Sequence, residues 1–162
     1  MKLRCSPTHT AFLKKVGAQP IVIPPPDVYT ALERGVVDGF IWVAGLIRDW
    51  GWNKVVKYRV EPGFYTANNV VLVNKKVWYS IPANLRKILE DSEEAAERYA
   101  YSRASNHLKK ENTLMEKAGM KVIRLSETEG EKLRKTADDA LWEVIIKKSG
   151  DNGRKLRKLL SE

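Results

Sequence analysis

The sequence predicts an α/β protein built around a parallel sheet, and three observations lead to this fold class. Short β-branched segments alternate with short amphipathic segments through the first forty or so residues. A strand–helix–strand order of this kind implies parallel strands joined by right-handed crossovers. An uninterrupted helical pattern then runs from Pro82 to Ala118, and a last strand and a capped helix follow it. The expected architecture is a parallel sheet accompanied by one very long helix.

The first part of the chain contains three predicted strands and two predicted helices. The prolines at 24–26 end the second strand because proline donates no ladder hydrogen bond, and Gly17 and Gly35 end the helices. Asp27 is predicted to cap the second helix. In chain order the expected elements are a strand at 3–5, a helix at 7–16, a strand at 21–23, a helix at 27–33 and a strand at 36–42.

The rest of the chain is predicted to hold a helical turn, three strands and a final helix beside the long one. The turn covers residues 46–52, and the strands cover 54–61, 69–74 and 120–125. Ser126 and Glu129 form a capping-box pattern for a last helix, which extends to about residue 149 with an apolar stripe along one face.

The long helix is the feature that fits a small domain least well. Ser80 is its predicted cap, Pro82 lies in its first turn, and no glycine or proline interrupts the pattern before Gly119. The helix would extend about 55 Å, whereas a compact domain of this chain length has a radius of gyration of about 15 Å. A kink near residues 102–106, pairing with another chain, or a bridge between two lobes would each accommodate it.

The composition is that of an ordinary globular domain with a basic excess. The 162 residues are 43% hydrophobic and 30% charged, which argues against disorder and low complexity. The formal net charge is +9, and residues 147–162 hold six basic and two acidic residues. We interpret this tail as a solvated, frayed terminus. Nucleic-acid binding is the alternative, although the tail lacks the aromatic residues that stack on bases.

Residue types that carry catalysis or bind metals are scarce. Cys5 is the single cysteine, which excludes an internal disulfide and a multi-cysteine metal site. His9 and His107 are the two histidines, and Ser6 is too close to His9 in sequence for a triad, whose members converge through the fold. A helix-start serine beside a surface histidine is the simpler interpretation. With no zinc, dinucleotide or nucleotide-phosphate motif, we predict neither an enzyme nor a bound metal or cofactor.

Two further absences concern membranes and export. No apolar run approaches the roughly 18 residues that span a bilayer. Met1 is followed by no apolar signal-peptide core. Taken alone, these features predict a soluble, cytosolic chain.

The pattern that remains is that of a ligand-binding site at one edge of the sheet. Arg4 ends the first predicted strand, and α/β folds bind ligands beside the carboxyl ends of parallel strands. Its planar guanidinium suits bidentate capture of a carboxylate. Side chains that could line the same crevice are Trp42, Phe64, Tyr65, Asn68 and Asn69. The alternatives are a surface arginine at a frayed terminus and a tryptophan that packs in the core.

Residues 17–39 carry a resemblance to a known family. They read GAQPIVIPPPDVYTALERGVVDG: a Gly-Ala-x-Pro start, a hydrophobic strand, prolines, an acidic residue before Val-Tyr-x-Ala-Leu, and Gly-Val-Val-Asp-Gly. This pattern closely resembles the substrate-binding proteins of tripartite ATP-independent periplasmic (TRAP) transporters, the DctP-type family. Residues 71–85 and 118–122 resemble the family's strand, long-helix entry and return strand, and the likeness extends from about Leu3 to Lys148.

The resemblance implies a solute receptor with a type II periplasmic-binding-protein fold. Members of the family have two α/β lobes that close on a small organic acid and deliver it to TRAP membrane permease subunits. Arg4 stands where an arginine usually pairs with the ligand carboxylate, and residues 40–42 stand in a segment that faces the ligand. Some relatives have a glutamate at the position of Ile41, where it can join a bound cation, so Ile41 argues against a metal-assisted site. The resulting candidate ligand-binding residues are Arg4, Phe40, Trp42, Phe64 and Tyr65.

The length departs from the family, whose members are roughly double this size and begin with a signal peptide and a first lobe. Our hypothesis is an incomplete fold, the carboxy-terminal half of a receptor whose long helix normally spans both lobes. Residues 1–149 would be the receptor portion, with 1–61 and 120–149 mainly in one lobe, 62–119 forming the crossover strand and long helix, and 150–162 a basic tail. The parent would be periplasmic, and this chain, without a signal peptide, cytoplasmic as expressed. We expect homo-oligomers through the exposed long helix and no nucleic-acid partner.

A second class of function stays open from the sequence. The fold could persist as a ligand-free structural or interaction module, because half a cleft loses the enclosure on which small-molecule sites rely. Organic acids that raise the melting temperature would favour the receptor, since only a bound ligand stabilises the folded state in this way.

Overall fold

Two small parallel sheets organise the chain, which the computed structural model describes for residues 1–66 and 70–160. The three-stranded sheet has the order β2-β1-β3, and the two-stranded sheet pairs β4 with β5. The strands are β1 (Lys2–Cys5), β2 (Gln19–Val22), β3 (Gly39–Phe40), β4 (Tyr58–Glu61) and β5 (Lys121–Arg124). All pairings are parallel, so each connection between neighbouring strands crosses over. The predicted α/β class is confirmed.

Six α-helices lie in the described ranges. They are α1 (Thr10–Lys15), α2 (Val28–Glu33), α3 (Lys75–Ser80), α4 (Ala83–Lys117), α5 (Glu127–Ser149) and α6 (Asp151–Leu160). Helix α1 crosses from β1 to β2, α2 crosses from β2 to β3, and α3 and α4 lie between β4 and β5 in the chain. The short helices α1 and α2 each follow a single 3-10 turn.

Three boundaries predicted for the first sixty residues are wrong. The strand expected at 36–42 pairs with β1 only over Gly39–Phe40. The helical turn expected at 46–52 is replaced by two 3-10 turns, Ala44–Leu46 and Trp52–Lys54. The second of these turns occupies the start of the strand expected at 54–61, which begins at Tyr58. The side chain of Asp27 makes no capping hydrogen bond at α2.

The strand predicted at 69–74 is also wrong where the structure describes it. Residues 70–74 form no strand, and Asn69 lies outside the described residues. The Asn74 side chain instead caps α3 by accepting hydrogen bonds from the backbone N–H groups of Lys76 (2.9 Å) and Val77 (3.4 Å). β-branched residues favour a strand only where a neighbouring strand packs beside them. Here no strand pairs with residues 70–74, and the Asn74 cap starts a helix directly after them.

The predicted long helix is confirmed as α4, with 35 residues and a length of about 52 Å. It is a continuous α-helix, including the 102–106 segment where a kink was one of the alternatives. Ser80 does not cap it, because its hydroxyl donates to the Val77 carbonyl (2.8 Å) and Pro82 is the residue before the first turn. Only Glu111 and Met115 of this helix are buried, both in its last two turns.

The predicted capping box of α5 is confirmed: Ser126 accepts from the Glu129 N–H while the Glu129 carboxylate accepts from the Ser126 N–H. The prediction of a frayed basic tail is wrong for residues 151–160, which form α6. This helix packs closely on α5, because a Cβ at Gly153 would lie 3.0 Å from the Ile146 backbone, and Arg157 donates to Asp139 at 2.6 Å.

Buried residues form two clusters on the two faces of the three-stranded sheet. The first cluster comprises Cys5, Phe12, Leu13, Ala137 and Ala140, from β1, α1 and α5. The second comprises Val28, Ile47, Trp52, Met115 and Met120, from α2, the 44–54 segment, the end of α4 and the residue before β5. Along β1 the side chains alternate between these faces, and Arg4 lies on the second face, over Trp52.

Candidate ligand-binding site

Arg4 is one of the most buried residues of the molecule, with 3% of its surface exposed. It lies in the central strand, and its Nε donates to the Ile23 carbonyl at 2.9 Å. One terminal nitrogen donates to the Ile41 carbonyl at 3.4 Å. The two carbonyls follow the neighbouring strands β2 and β3, so the sheet itself fixes the guanidinium at its carboxyl edge. The alternative of a surface arginine is excluded.

Two tryptophan rings flank the Arg4 guanidinium. Its central carbon lies 4.7 Å from the Trp42 ring centroid and 5.7 Å from the Trp52 ring centroid. Such cation–π contacts stabilise a cation that has lost water. Burial lowers the pKa of Arg4, but guanidinium starts from so high a value that the group stays charged. Within the described residues, no carboxylate forms an ion pair with it.

The buried guanidinium keeps unused hydrogen-bonding capacity. It carries five N–H donors, and the two carbonyl contacts use one from Nε and one from a terminal nitrogen. The remaining donors belong to the two terminal nitrogens, whose parallel N–H groups match the two oxygens of a carboxylate. An anchored, unpaired arginine of this kind can bind an anion without having to be reoriented.

The two tryptophans beside this arginine belong to a cluster of four aromatic residues. Phe40 and Trp42 pack against Trp52 with centroid separations of 4.9 and 5.2 Å, and Trp50 stacks on Trp52 at 5.8 Å. Trp52 is fully buried, whereas Trp50 is 39% exposed. The buried Nε1–H of Trp42 has no hydrogen-bond partner in the described part of the chain. Trp42 therefore both packs against the core and carries an unpaired donor.

Phe64 and Tyr65 belong to a second aromatic group centred on His9. The His9 ring is perpendicular to Tyr65 at 4.8 Å and to Phe64 at 6.3 Å, and Phe64 packs on Phe12 at 4.5 Å. Ser6 Oγ lies 2.8 Å from His9 Nδ1. Burial and then the Arg4 charge lower the pKa of His9, which links the two groups electrostatically.

The structure thus brings together Arg4, Phe40 and Trp42 around Trp52, and it places Phe64 and Tyr65 around His9. Asn68 and Asn69, the two possible amide contacts, lie outside the described residues. The ligand-binding roles of the five candidates stay predictions.

Three aromatic neighbours were missed by the sequence interpretation: His9, Trp50 and Trp52. His9, expected to be a surface histidine, is partly buried. The tryptophans carried a usable signal, since three of the chain's five tryptophans fall between residues 42 and 52. A glycine with φ of +69°, Gly51, separates two of them and allows the turn that stacks their rings.

A surface depression, metal-ligand clusters and membrane-spanning helices were the other features of possible functional interest. A surface depression of about 510 Å³ precedes β4 and β5, and none of the candidate residues lines it. It is lined by Asn53, Lys54, Val56, Lys57, Ala118, Gly119 and Met120. In residues 1–66 and 70–160, no three His, Cys, Asp or Glu side chains converge as metal ligands. No helix in those ranges is both long and apolar enough for a membrane span.

Comparison with known proteins decides the family. The family described as "Bacterial extracellular solute-binding protein, family 7", DctP, matches residues 1–148 of the chain. The chain belongs to the DctP family. The resemblance seen in the sequence is thereby confirmed, and DctP proteins are solute-binding proteins.

Individual relatives agree with this assignment. The chain is 30% identical over 147 residues to the C4-dicarboxylate-binding periplasmic protein DctP of Rhodobacter capsulatus, covering 90% of this chain and 41% of that protein. It matches a TRAP periplasmic solute-binding protein of Desulfovibrio salexigens, solved with orotic acid, with a TM-score of 0.82 and 26% identity. That match covers 98% of this chain and 51% of the other.

A third relative shows the fold at lower identity. DctP7 of Bordetella pertussis, a receptor that binds pyroglutamic acid, matches with a TM-score of 0.78 and 20% identity, covering 99% of this chain and 53% of the other. The chain spans less than half of the curated DctP relative and about half of each solved relative. The predicted TRAP-receptor fold, present here in part, is confirmed.

Proposed function

We propose that this chain binds the carboxylate of a small organic acid at Arg4 and is part of an extracytoplasmic TRAP solute receptor. The observation that carries the proposal is the state of Arg4: buried, anchored by two strand-end carbonyls, flanked by tryptophans and without a carboxylate partner among the described residues. Burying a cation without an anionic partner costs free energy. A site that holds such a cation is suited to an anionic ligand, which completes the ion pair.

Relatives support an acidic ligand. The Rhodobacter protein is named for C4-dicarboxylates, and solved relatives hold orotic acid and malonate. These ligands differ in shape and share a carboxylate. In our proposal Arg4 binds only this shared carboxylate. The surrounding rings would select the rest of the ligand.

The partner, the location and the lobes follow from the same proposal. The ligand would be delivered to TRAP permease subunits from the periplasm, where the curated relative is located by name. Residues 1–61 and 120–149 would belong mainly to one lobe, and 62–119 would connect it to the other. The function is binding and delivery, without catalysis.

Titration of the 162-residue chain with a panel of organic acids tests the proposal. Replacement of Arg4 by methionine should weaken binding about 10- to 100-fold, since hydrogen bonds to a charged group contribute about 1.5–3 kcal/mol. Arg4→Lys should rescue little, because a lysine offers a point charge instead of a planar fork. Arg34→Met, at an exposed arginine, is the matched control and should bind as the parent does.

Calorimetry and the melting temperature report the same outcome independently. A ligand at 100 times its Kd raises the stability by about 2.7 kcal/mol. Equal affinities for Arg4→Met and Arg34→Met would refute the role of Arg4. If no acid binds or raises the melting temperature, the ligand-free interaction module is the better description.

We also propose that the exposed apolar face of α4 mediates self-association. Leu85, Ile88 and Leu89 lie on adjacent turns and are each about half exposed. Light scattering of the parent should show an oligomer, and Ile88→Glu should shift it toward the monomer while Ser105→Glu, at an exposed polar position of the same helix, should not. A monomeric parent at working concentration would contradict this proposal.

A further inference from the structure

Helix α6 has a surface that the proposed function does not use. The family match covers residues 1–148, whereas α6 comprises Asp151–Leu160, so the family pattern does not account for the sequence of this helix. The helix is nevertheless a packed part of the fold. The residues on its outward surface therefore need an explanation of their own.

Contact with α5 occupies only one side of α6. Gly153 is buried there, since a Cβ at this position would lie 3.0 Å from the Ile146 backbone, and Arg157 donates to Asp139 at 2.6 Å. Residues four apart lie on the same side of a helix, so Gly153 and Arg157 mark the side that faces α5. The remaining residues of α6 are exposed.

Three leucines form an apolar stripe on this exposed surface. Leu156, Leu159 and Leu160 are 45%, 76% and 69% exposed. Their spacing of three and four residues places them side by side on one flank of the helix. Single exposed leucines are common, but a contiguous apolar stripe is typical of a contact surface. The exposed fractions show that no other element among the described residues covers the leucine stripe.

The leucine stripe lies in a strongly basic part of the chain. Residues 147–160 hold six basic residues and one acidic residue, which is five of the chain's nine net positive charges. Arg154 and Arg157 each pair with an aspartate. Lys155 and Lys158 are exposed and form no ion pair among the described residues. These two lysines therefore add positive charge to the surface that carries the leucines.

We infer that α6 docks on the surface of an anionic phospholipid bilayer. The leucine stripe enters the boundary between headgroups and acyl chains, and the two lysines contact the lipid phosphates. A helix with a basic face and an apolar face lies in the plane of this boundary. The contact is peripheral, because the 10 residues of α6 are too few to span a bilayer.

The leucine stripe distinguishes a bilayer from other polyanions. A nucleic acid would bind the lysines and leave the leucines in water, and α6 has no aromatic residue that could stack on bases. A bilayer offers hydrocarbon to the leucines and phosphate to the lysines. The inference does not depend on the role of Arg4. Where the proposed function also holds, the contact keeps the receptor beside the membrane that contains its permease.

Flotation of the 162-residue chain with lipid vesicles tests the inference. Vesicles of equal parts phosphatidylglycerol and phosphatidylcholine should bind the chain roughly tenfold or more above vesicles of phosphatidylcholine alone, since each basic residue near an anionic surface strengthens binding about fivefold. An increase in ionic strength from about 0.1 M to about 1 M should release most of the protein, because it shortens the Debye length from about 10 Å to about 3 Å. Equal binding to both vesicles, or binding to neither, overturns the inference.

A matched pair of charge variants locates the contact. The double variant Lys155→Gln, Lys158→Gln should weaken binding to the anionic vesicles roughly 10- to 30-fold. The double variant Lys109→Gln, Lys110→Gln removes the same charge from exposed positions of α4 and should weaken it about twofold or less. Equal weakening by the two double variants would mean that net charge alone attracts the chain, and it would overturn the inference.

A second matched pair tests the leucine stripe. Leu159→Gln should weaken vesicle binding roughly tenfold, because its side chain no longer enters the hydrocarbon. Leu72→Gln, at a leucine outside α6 that is 88% exposed, should bind as the parent does. Both positions are exposed, so neither variant should shift the melting temperature. Unchanged vesicle binding by Leu159→Gln would contradict the inference.

Hydrogen exchange on the parent chain needs no variant. Anionic vesicles should slow backbone exchange in residues 151–160, and neutral vesicles should not. Slowing confined to other residues would place the contact elsewhere and overturn the inference. Two other occupants would also overturn it: duplex DNA, if the chain binds DNA and no vesicle, and a second copy of the chain, if Leu159→Gln converts an oligomer to a monomer in light scattering.

Discussion

The aromatic site around Arg4 and the first half of α4 contain similar apolar residues in opposite environments. Trp52 is fully buried among other rings and the guanidinium, whereas Ile88 is 58% and Tyr101 86% exposed. The two segments differ in whether another element packs against them. The 44–54 segment packs against β3 and the end of α4. Among the described residues, nothing covers residues 83–106 to the same extent.

The second half of α4 shows that a helical conformation is not what leaves these side chains exposed. His107 lies on the same helix, and its Nε2 is 2.9 Å from the Gly45 carbonyl, where a Cβ on Gly45 would lie 3.3 Å from the ring. Beyond it, Arg48 binds both carboxylate oxygens of Glu111 at 3.0 Å, and Met115 enters the core. The helix is thus anchored at one end by the elements before β4, and its free end has a repeat of apolar side chains without that support.

Removing one aromatic residue from each region tests this difference in burial most directly. Trp52→Ala should cost about 3–5 kcal/mol of unfolding free energy, because it leaves a cavity and removes a ring from the buried guanidinium. Tyr101→Ala should change it by less than about 0.5 kcal/mol. Urea unfolding measures both, and similar costs for the two variants would mean that the exposed half of α4 is covered in solution.

A smaller effect is expected at the start of a packed helix. Ser126→Ala removes the capping box of α5 and should cost about 1 kcal/mol of unfolding free energy. On the free half of α4, Lys87→Ala breaks the ion pair with Asp91, which is solvent-exposed, and should leave the urea midpoint unchanged. A loss with Lys87→Ala as large as that with Ser126→Ala would show that exposed pairs support α4.

The smallest effect is the pH dependence that comes from His9. Burial and the Arg4 charge lower the pKa of His9 in the folded protein, so the unfolded chain takes up a proton more readily as the pH falls through 6.5. Stability should therefore decrease on acidification from pH 7 toward pH 5.5. In His9→Gln this part of the slope should disappear from urea midpoints measured across that range, and an unchanged slope would exclude His9 as its source.

The sequence was most informative where structure depends on neighbours along the chain. The Ser126–Glu129 box, the uninterrupted pattern of α4 and the βαβ order of the first sheet are local signals, and the structure has all three. It misled at residues 70–74 and 54–57, where β-branched residues have no paired strand. Strand pairing depends on residues distant in the chain, which periodicity does not contain.

The candidate site divides in the same way. The position of Arg4 at a strand end, and its match to the DctP pattern, could be read from the sequence. Its burial, its two carbonyl anchors and its contact with Trp52 could not, because they join β1 to residues about 20 to 50 positions away. The same is true of His9, whose ring contacts with Phe64 and Tyr65 join residues about 55 positions apart.

By itself, then, the sequence determined the α/β class, the family, the capping box that starts α5, the glycines that end α1, α2 and α4, and the arginine that we propose binds the ligand. The tertiary structure alone decided which apolar faces are buried, that the basic tail is a packed helix, and that an unpaired guanidinium lies between two tryptophans. The physical reason is that caps and periodicity act within a few residues, whereas burial, desolvation and the charge felt by a side chain depend on elements that only folding brings together.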